Sequence, residues 1–344
     1  MQITIIGGSG FVGSRLTTRL LACGHTVKIA DKRPSQVHPS LHVHCDIRDT
    51  SALERELAGS DLVINLAAEH RDDVSPKSLY DQVNVTGSRN LCQVCSKLGI
   101  TRIVFTSSVA VYGFAPAGTD ESGEINYFND YGRTKWLAEE EYRQWLKADS
   151  QNRVVIIRPT VIFGEGNRGN VYNLLRQIAG GRFPMVGRGT NRKSMNYVEN
   201  VAAFIQHCVE QELPAYEDGV SNSEGSPPQQ EYLYNYCDQP AYDMNGLVLE
   251  VYRALGRPKT RLFHWPYPVA YFGGLCFDLL ALILRRRLPV SSIRVKKFCQ
   301  NTYFTSSRVA DTGFVPPVSL PDGLSRTIHY EFVDKTQGTV FQTE

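Results

Sequence analysis

Ile3-Thr4-Ile5-Ile6-Gly7-Gly8-Ser9-Gly10-Phe11-Val12-Gly13 begins as an apolar run and ends in glycines spaced Gly-x-x-Gly-x-x-Gly. The run reads as a buried strand, and the residues from Phe11 to about Cys23 read as an amphipathic helix. Gly7 allows the tight turn between them. Gly10 lets backbone amides come close to a pyrophosphate, and Gly13 lets the helix pack tightly on the strand. The amino terminus of that helix then faces the phosphates with its partial positive charge.

Working outward, Thr26 to Ala30 is a second strand that ends at Asp31, about twenty residues past the glycines, where a carboxylate accepts hydrogen bonds from ribose hydroxyls. A 2′-phosphate is repelled there. Lys32 and Arg33 are able to offset that repulsion, but the reading favours NAD over NADP. Leu62 to Ala68 is a further buried strand whose small final residues admit a cofactor close to the backbone. Asn84 falls on the next helix, and Val104-Phe105-Thr106-Ser107-Ser108 is a strand that delivers serine to its carboxyl end. The sixth strand, Val154 to Ile157, meets Pro159.

Strands alternating with helices predict an α/β fold with a doubly wound parallel sheet. The change of pattern near Pro159 divides the chain into a dinucleotide-binding region, 1–165, and a smaller α/β substrate region, 166–344. Gly164 to Gly169 reads as a loop, Val171 to Ile178 as a helix, and the polar stretch 211–230 as a surface connection.

Tyr131 and Lys135, in YGRTK, are one helical turn apart and share a face. An ammonium beside the phenol, with the positive nicotinamide nearby, lowers its pKa, which suits Tyr131 as a general base for an alcohol proton. Ser107 and Ser108, at the end of the preceding strand, are the hydroxyls to consider for the same oxygen.

GGSGFVG at 7–13, Asp31, NLAA at 65–68, Asn84, TSSVAVYG at 106–113, YGRTK at 131–135 and RPTVIFG at 158–164 occur in this order over most of the chain. They resemble the extended short-chain dehydrogenase/reductase superfamily, in its nucleotide-sugar epimerase and dehydratase branch. The resemblance implies a Rossmann domain and catalysis by Ser108 rather than Ser107, together with Tyr131 and Lys135, without a metal. It also implies NAD contacts from Gly7, Gly10, Phe11, Val12, Gly13, Asp31, Asp46, Ile47, Leu66, Ala67, Ala68, Asn84, Tyr131, Lys135 and Pro159. Asp46-Ile47 is similar to the family's acid-apolar pair at the adenine edge.

AAEHRDDVSP at 67–76, RPTVIFGEGNRGNVYNLL at 158–175, YNY at 234–236 and VSSIRVKKFC at 290–299 are similar to epimerases of O-antigen assembly. Those act on N-acetylglucosamine still attached to diphospho-undecaprenol. The implied reaction is NAD-dependent interconversion of GlcNAc and GalNAc at C4, through a transient 4-keto sugar, at the cytoplasmic face of the inner membrane. Dimerisation through two helices is common in the family.

Two departures matter. Val109 follows Ser108, so the Asp-Glu pair of sugar dehydratases is absent, which favours epimerisation. Met195 stands where soluble nucleotide-sugar epimerases carry an arginine on the substrate diphosphate; Arg192, Lys193 or Arg188 are the substitutes to consider. A nucleotide-sugar epimerase, a 4-keto-sugar reductase using exchangeable NAD(P)H, a steroid-type dehydrogenase and a non-catalytic NAD-sensing scaffold stay open as alternatives.

Net charge is +2 in 344 residues, no match for nucleic acid as a whole. Eight cysteines and a first strand that begins at once predict a cytoplasmic chain with reduced thiols and no cleavable leader. Cys92 and Cys95 share a helix but lack a second ligand pair, so they read as core. His38, His42 and His44 read as loop and strand edge. Residues 266–289 are apolar and then basic, with Asp278 interrupting the run before Arg285-Arg286-Arg287. They predict a membrane-interfacial segment, with a buried helix of the second region as the other reading.

Overall fold

Each strand of the sheet core is explained by its alternation. In the computed structural model, which describes residues 1–71, 74–181, 183–213, 230–259, 262–284 and 291–341, β1 (Gln2–Ile6) turns Ile3 and Ile5 to one face and Ile6 to the other. All three are buried, so β1 is covered on both sides. Its companions are β2 (Thr26–Asp31), β3 (His42–His44), β4 (Leu62–Asn65), β5 (Arg102–Thr106), β6 (Arg153–Pro159) and β7 (Glu231–Tyr236). They pair in parallel in the order β7-β6-β5-β4-β1-β2-β3. The chain runs outward from β1 to β3 and then crosses back to β4. The order therefore reverses between β1 and β4, where a crevice opens at the strands' carboxyl ends.

The helices are α1 (Phe11–Ala22), α2 (Thr50–Leu57), α3 (Gly87–Leu98), α4 (Asp130–Ala148), α5 (Asn170–Ala179), α6 (Val198–His207), α7 (Met244–Ala254), α8 (Tyr267–Leu284), α9 (Ser292–Cys299) and α10 (Leu320–Ile328). Leu16 and Leu20 of α1 pack with Val201, Phe204 and Ile205 of α6 against Ile3, Ile5 and Val104. On the opposite face Leu53, Leu91, Tyr142 and Trp145, from α2, α3 and α4, meet Ile6, Val63 and Phe105. Each such side chain contributes about 1.5–3 kcal/mol of burial. A further core joins α5, α7 and α10 around Tyr197, Phe11 and Phe341. Thus the residues after 165 build the far wall of the crevice and also return α6 and β7 to the sheet layers.

Several boundaries differ from the expected ones. β4 stops at Asn65, whose side-chain oxygen accepts the Ala67 N–H at 3.0 Å and turns the chain away. β5 stops at Thr106, leaving both serines beyond its end. β6 continues to Pro159, which lies opposite Tyr236. Residues 214–229 of the polar connection and Arg285-Arg286-Arg287 lie outside the described residues.

Within α8 only Gly274 is buried. Phe272, Leu279, Leu282, Ile283 and Leu284 are exposed, Leu282 by 75%. This excludes the buried-helix reading for the described part of the segment. Against α9, a Cβ on Gly274 would fall 2.8 Å from the Ser292 backbone, and Asp278 accepts the Ser292 N–H at 3.1 Å. The two helices therefore form a clipped hairpin whose carboxylate is hydrogen-bonded rather than bare.

Candidate active site

The crevice at the switch point has a volume of about 900 Å³, large for a small-molecule site. Its floor is the turn after β1. Gly7 has φ +75, and a Cβ there would sit 2.7 Å from the Ala67 nitrogen. Gly10 precedes α1 without any side-chain cap, so the first N–H groups of the helix face the crevice. Only the Gly7 carbonyl, at 3.3 Å, would meet a Cβ on Gly10; the space beyond is open. On Gly13 a Cβ would lie 2.6 Å from the Gly8 backbone.

Asp31 closes one end of this floor. One carboxylate oxygen accepts the Ser9 N–H at 3.1 Å and the other the Arg33 N–H at 2.9 Å. Asp46 pairs with Arg48 at 2.6 Å, which holds its carboxyl below the ordinary range, and Ile47 is buried beneath Gly87. An uncapped helix amino terminus, a glycine cradle open to the crevice and a carboxylate at the tip of β2 together fit a dinucleotide.

At the other end, Ser108 starts a short 3₁₀ turn, Val109–Tyr112, by accepting the Ala110 N–H at 3.1 Å. Its hydroxyl lies beside the Tyr131 phenol on the crevice wall. Ser107 faces the other way and gives its hydroxyl to Glu139 at 2.5 Å. Lys135, 2% exposed, holds its ammonium 4.3 Å from the centre of the Phe105 ring. Burial pulls the Lys135 pKa down to about 7, with Glu139 opposing.

The protein's own groups act on Tyr131 in the opposite sense to the one expected with the nicotinamide charge beside it. Burial raises the phenol above its ordinary value, and the Ser108 hydroxyl only partly opposes this. Desolvation disfavours the phenolate just as it disfavours the ammonium.

Of the residues read from sequence, Gly7, Gly10, Phe11, Val12, Gly13, Asp31, Asp46, Ile47, Leu66, Ala67, Ala68, Ser108, Tyr131, Lys135 and Pro159 all line the crevice. Asn84 does not. Its amide oxygen accepts the Glu69 N–H at 2.8 Å, and its nitrogen donates to the Glu69 carbonyl and to Thr134. It ties the loop after β4 to α4 from behind.

Sequence reasoning passed over Asn167, Ser194, Thr302, Phe304 and Phe341, which form the far wall. No local pattern marks them, since they meet only when distant segments fold together. Phe341 is held by a backbone bridge to the 164–169 loop, with N–H to the Gly166 carbonyl at 2.9 Å. Met195 is buried in core. Lys193 gives its ammonium to the Gln300 carbonyl at 2.7 Å and burial pulls its pKa down to about 8. Arg192 lies over the Tyr303 ring, and Arg188 is exposed.

Comparison with known proteins gives this geometry a lineage. Over 333 residues the chain is 49% identical to the N-acetyl-alpha-D-glucosaminyl-diphospho-ditrans,octacis-undecaprenol 4-epimerase of Escherichia coli O157:H7, covering 96% of each. It is 27% identical to a UDP-glucose 4-epimerase of Vibrio cholerae over 95% of this chain and 94% of the relative. The fold is shared with a UDP-glucose 4-epimerase of Thermotoga maritima, at TM-score 0.72 and 19% identity, over 98% of this chain and all of the other. Residues 3–218 match the model of the NAD dependent epimerase/dehydratase family, and the chain belongs to that family.

Proposed function

We propose that this chain is an NAD-dependent isomerase that interconverts GlcNAc and GalNAc by inverting C4 while the sugar is carried on diphospho-undecaprenol. The observation that carries the reading is the 49% identity, over nearly the whole of both chains, to the enzyme of that name. The Ser108, Tyr131 and Lys135 arrangement supports it chemically.

The glycine turn and Asp31 would hold NAD, which would supply reversible hydride acceptance at C4. Tyr131 takes the C4 hydroxyl proton and later returns it. Ser108 hydrogen-bonds the same oxygen and keeps it facing the phenol. Lys135, when protonated, stabilises the phenolate through the buried site. No net reduction occurs, so the sugar is the same oxidation level before and after. Rotation of the oxidised sugar within the crevice is what exchanges its two faces.

The lipid carrier calls for a site at the bilayer, and the α8–α9 hairpin supports peripheral attachment to the cytoplasmic face of the inner membrane. A helix apolar on nearly all sides suits hydrocarbon better than a soluble partner, which would cover one face. α9 leads straight into the crevice wall: Asn191 donates to the Phe298 carbonyl at 2.8 Å, Thr302 N–H to the Arg192 carbonyl at 3.0 Å and Ser194 N–H to the Thr302 carbonyl at 2.9 Å. Ser194 and Thr302 both line the crevice.

The test incubates purified protein with GlcNAc-diphospho-undecaprenol in vesicles and, separately, with UDP-GlcNAc, without added reductant. GalNAc from the lipid alone is the expected result. Conversion of UDP-GlcNAc alone refutes the carrier, and conversion of neither unless NAD(P)H is added makes the chain a reductase.

A further inference from the structure

Glu139 lies one turn beyond Lys135 on α4 and is fully buried, yet the reaction above gives it no task. Its two carboxylate oxygens take four hydrogen bonds. One accepts the Ser107 hydroxyl at 2.5 Å and Arg158 Nε at 2.8 Å; the other accepts Arg158 Nη2 at 2.5 Å and Arg143 Nη2 at 3.0 Å. Arg158 passes the contact on, donating to the Tyr112 hydroxyl at 2.5 Å, which donates to Asn235 at 2.8 Å. An ion pair this deep is weak evidence of stabilisation, because desolvation cancels much of its attraction.

We propose that Glu139 is a positioning residue for the Ser108, Tyr131 and Lys135 set, clamping Ser107 so that Ser108 faces Tyr131 and supplying the negative charge that keeps Lys135 an ammonium. The inference rests on the function proposed above. Its geometric half follows from the extended backbone at Ser108, with φ −164 and ψ 148. Successive side chains of extended backbone point to opposite sides. Anchoring Ser107 on Glu139 therefore sends Ser108 into the crevice.

The electrostatic half follows from the groups around Lys135 and its neighbour Glu139. On α4 these are Tyr131, Glu139, Glu140 and Arg143; β6 brings Arg158, the 3₁₀ turn Tyr112, and β7 Glu231, which holds Arg143 at 3.0 Å. Glu121 lies behind, accepting the Asn235 N–H at 2.7 Å. Burial pulls Lys135 down to about 7, and the charge that opposes this is Glu139. An amide in its place removes the opposition and leaves Arg158 and Arg143 less neutralised. Lys135 then loses its proton at lower pH, and the alkaline limb of the rate profile moves to lower pH.

The test uses Glu139→Gln and the double variant Glu139→Gln/Arg158→Gln in the full chain, with retained NAD measured in each. The expected result is an alkaline limb of kcat displaced downward by about one pH unit or more, hence about a tenfold loss on that limb, with KM nearly unchanged. A folded, NAD-containing Glu139→Gln protein with the limb of the original chain overturns the proposal. The double variant removes the Arg158 charge as well, so its limb should lie nearer that of the original chain; where the single variant does not fold, a Ser107→Ala protein that retains NAD and turns over as fast as the original chain overturns the clamp. Titration of Lys135 Nζ by ¹⁵N NMR in the same proteins needs no substrate. It must move downward too in Glu139→Gln, and it separates failure of this inference from failure of the assigned reaction.

Discussion

Replacing Gly13 by Ala should loosen NAD and lower stability together, and two companion glycines separate these effects. A Cβ on Gly13 lies 2.6 Å from both the Cα and the carbonyl oxygen of Gly8. Comfortable carbon contacts begin near about 3.5 Å, so α1 and the turn must part by roughly 0.9 Å. Backbone stands on both sides, and no flexible side chain is there to give way. Overpacking of this kind costs about 1–3 kcal/mol. The same displacement carries the α1 amino terminus away from its phosphate, where a shift near 1 Å is worth up to about a hundredfold in catalysis.

Gly10→Ala tests the binding part alone. Its φ of −75 suits alanine, and its Cβ meets only the Gly7 carbonyl at 3.3 Å before open crevice. It should lose NAD and melt at the temperature of the original chain stripped of NAD. Gly24→Ala tests the stability part alone: φ is +79 with nothing within 4 Å of the new Cβ, so the cost is the left-handed backbone, about 1–2 kcal/mol. For a chain of this length that is a shift of about 2 °C, with NAD retained. The assays are calorimetry and NAD released per chain on acid denaturation. A Gly13→Ala protein with full NAD and unchanged melting refutes the packing argument. NAD lost equally from Gly24→Ala would show that the cofactor follows general stability instead.

Tyr131→Phe should lower turnover by a factor on the order of 10²–10⁴ while retaining NAD; undiminished turnover refutes its role as base. Leu279→Asp with Ile283→Asp should release the protein from anionic vesicles in a flotation assay without altering its melting, whereas unchanged flotation refutes contact through α8. Asp238 is pushed up to about 6 by burial, although Tyr197 N–H and Asn200 donate to it. Folding therefore favours its protonated form, and stability falls as pH rises from about 4 through 6, by up to about 3 kcal/mol. The difference between the melting curves of the original chain and Asp238→Asn should show that slope across the same window, and a pH-independent difference refutes it.

The Glu139 clamp and the α8–α9 hairpin are proposed to serve one and the same crevice. The clamp works on the groups proposed to exchange a proton with the sugar. The hairpin adjoins the wall formed by Ser194 and Thr302, through which the lipid end of a carried sugar would leave. An enzyme of this kind has to admit a membrane-bound diphosphate while keeping its acid-base residues dry. The burial of Lys135 is the cost of that dryness, and it makes the neighbouring carboxylate consequential.

What the sequence by itself determined is what short stretches of chain encode. Gly7, Gly10 and Gly13 mark the turn because their spacing and lack of Cβ are readable in seven residues, and Ile3, Ile5 and Ile6 mark a strand covered on both faces. Tyr131 and Lys135 share a helix face for the same local reason. Tertiary structure decided the rest. β7, at Glu231–Tyr236, joins β6 at the sheet edge across a separation no periodicity records, and Phe341 reaches the crevice from the end of the chain. The raised Tyr131 and lowered Lys135 were not legible either, since spacing predicts that two groups are neighbours but not how much water surrounds them. Asn84 turned its amide to Glu69 and Thr134 because hydrogen-bond partners are chosen among segments that meet only after folding. Local geometry is written in the spacing of side chains, whereas burial and pairing belong to contacts between distant segments.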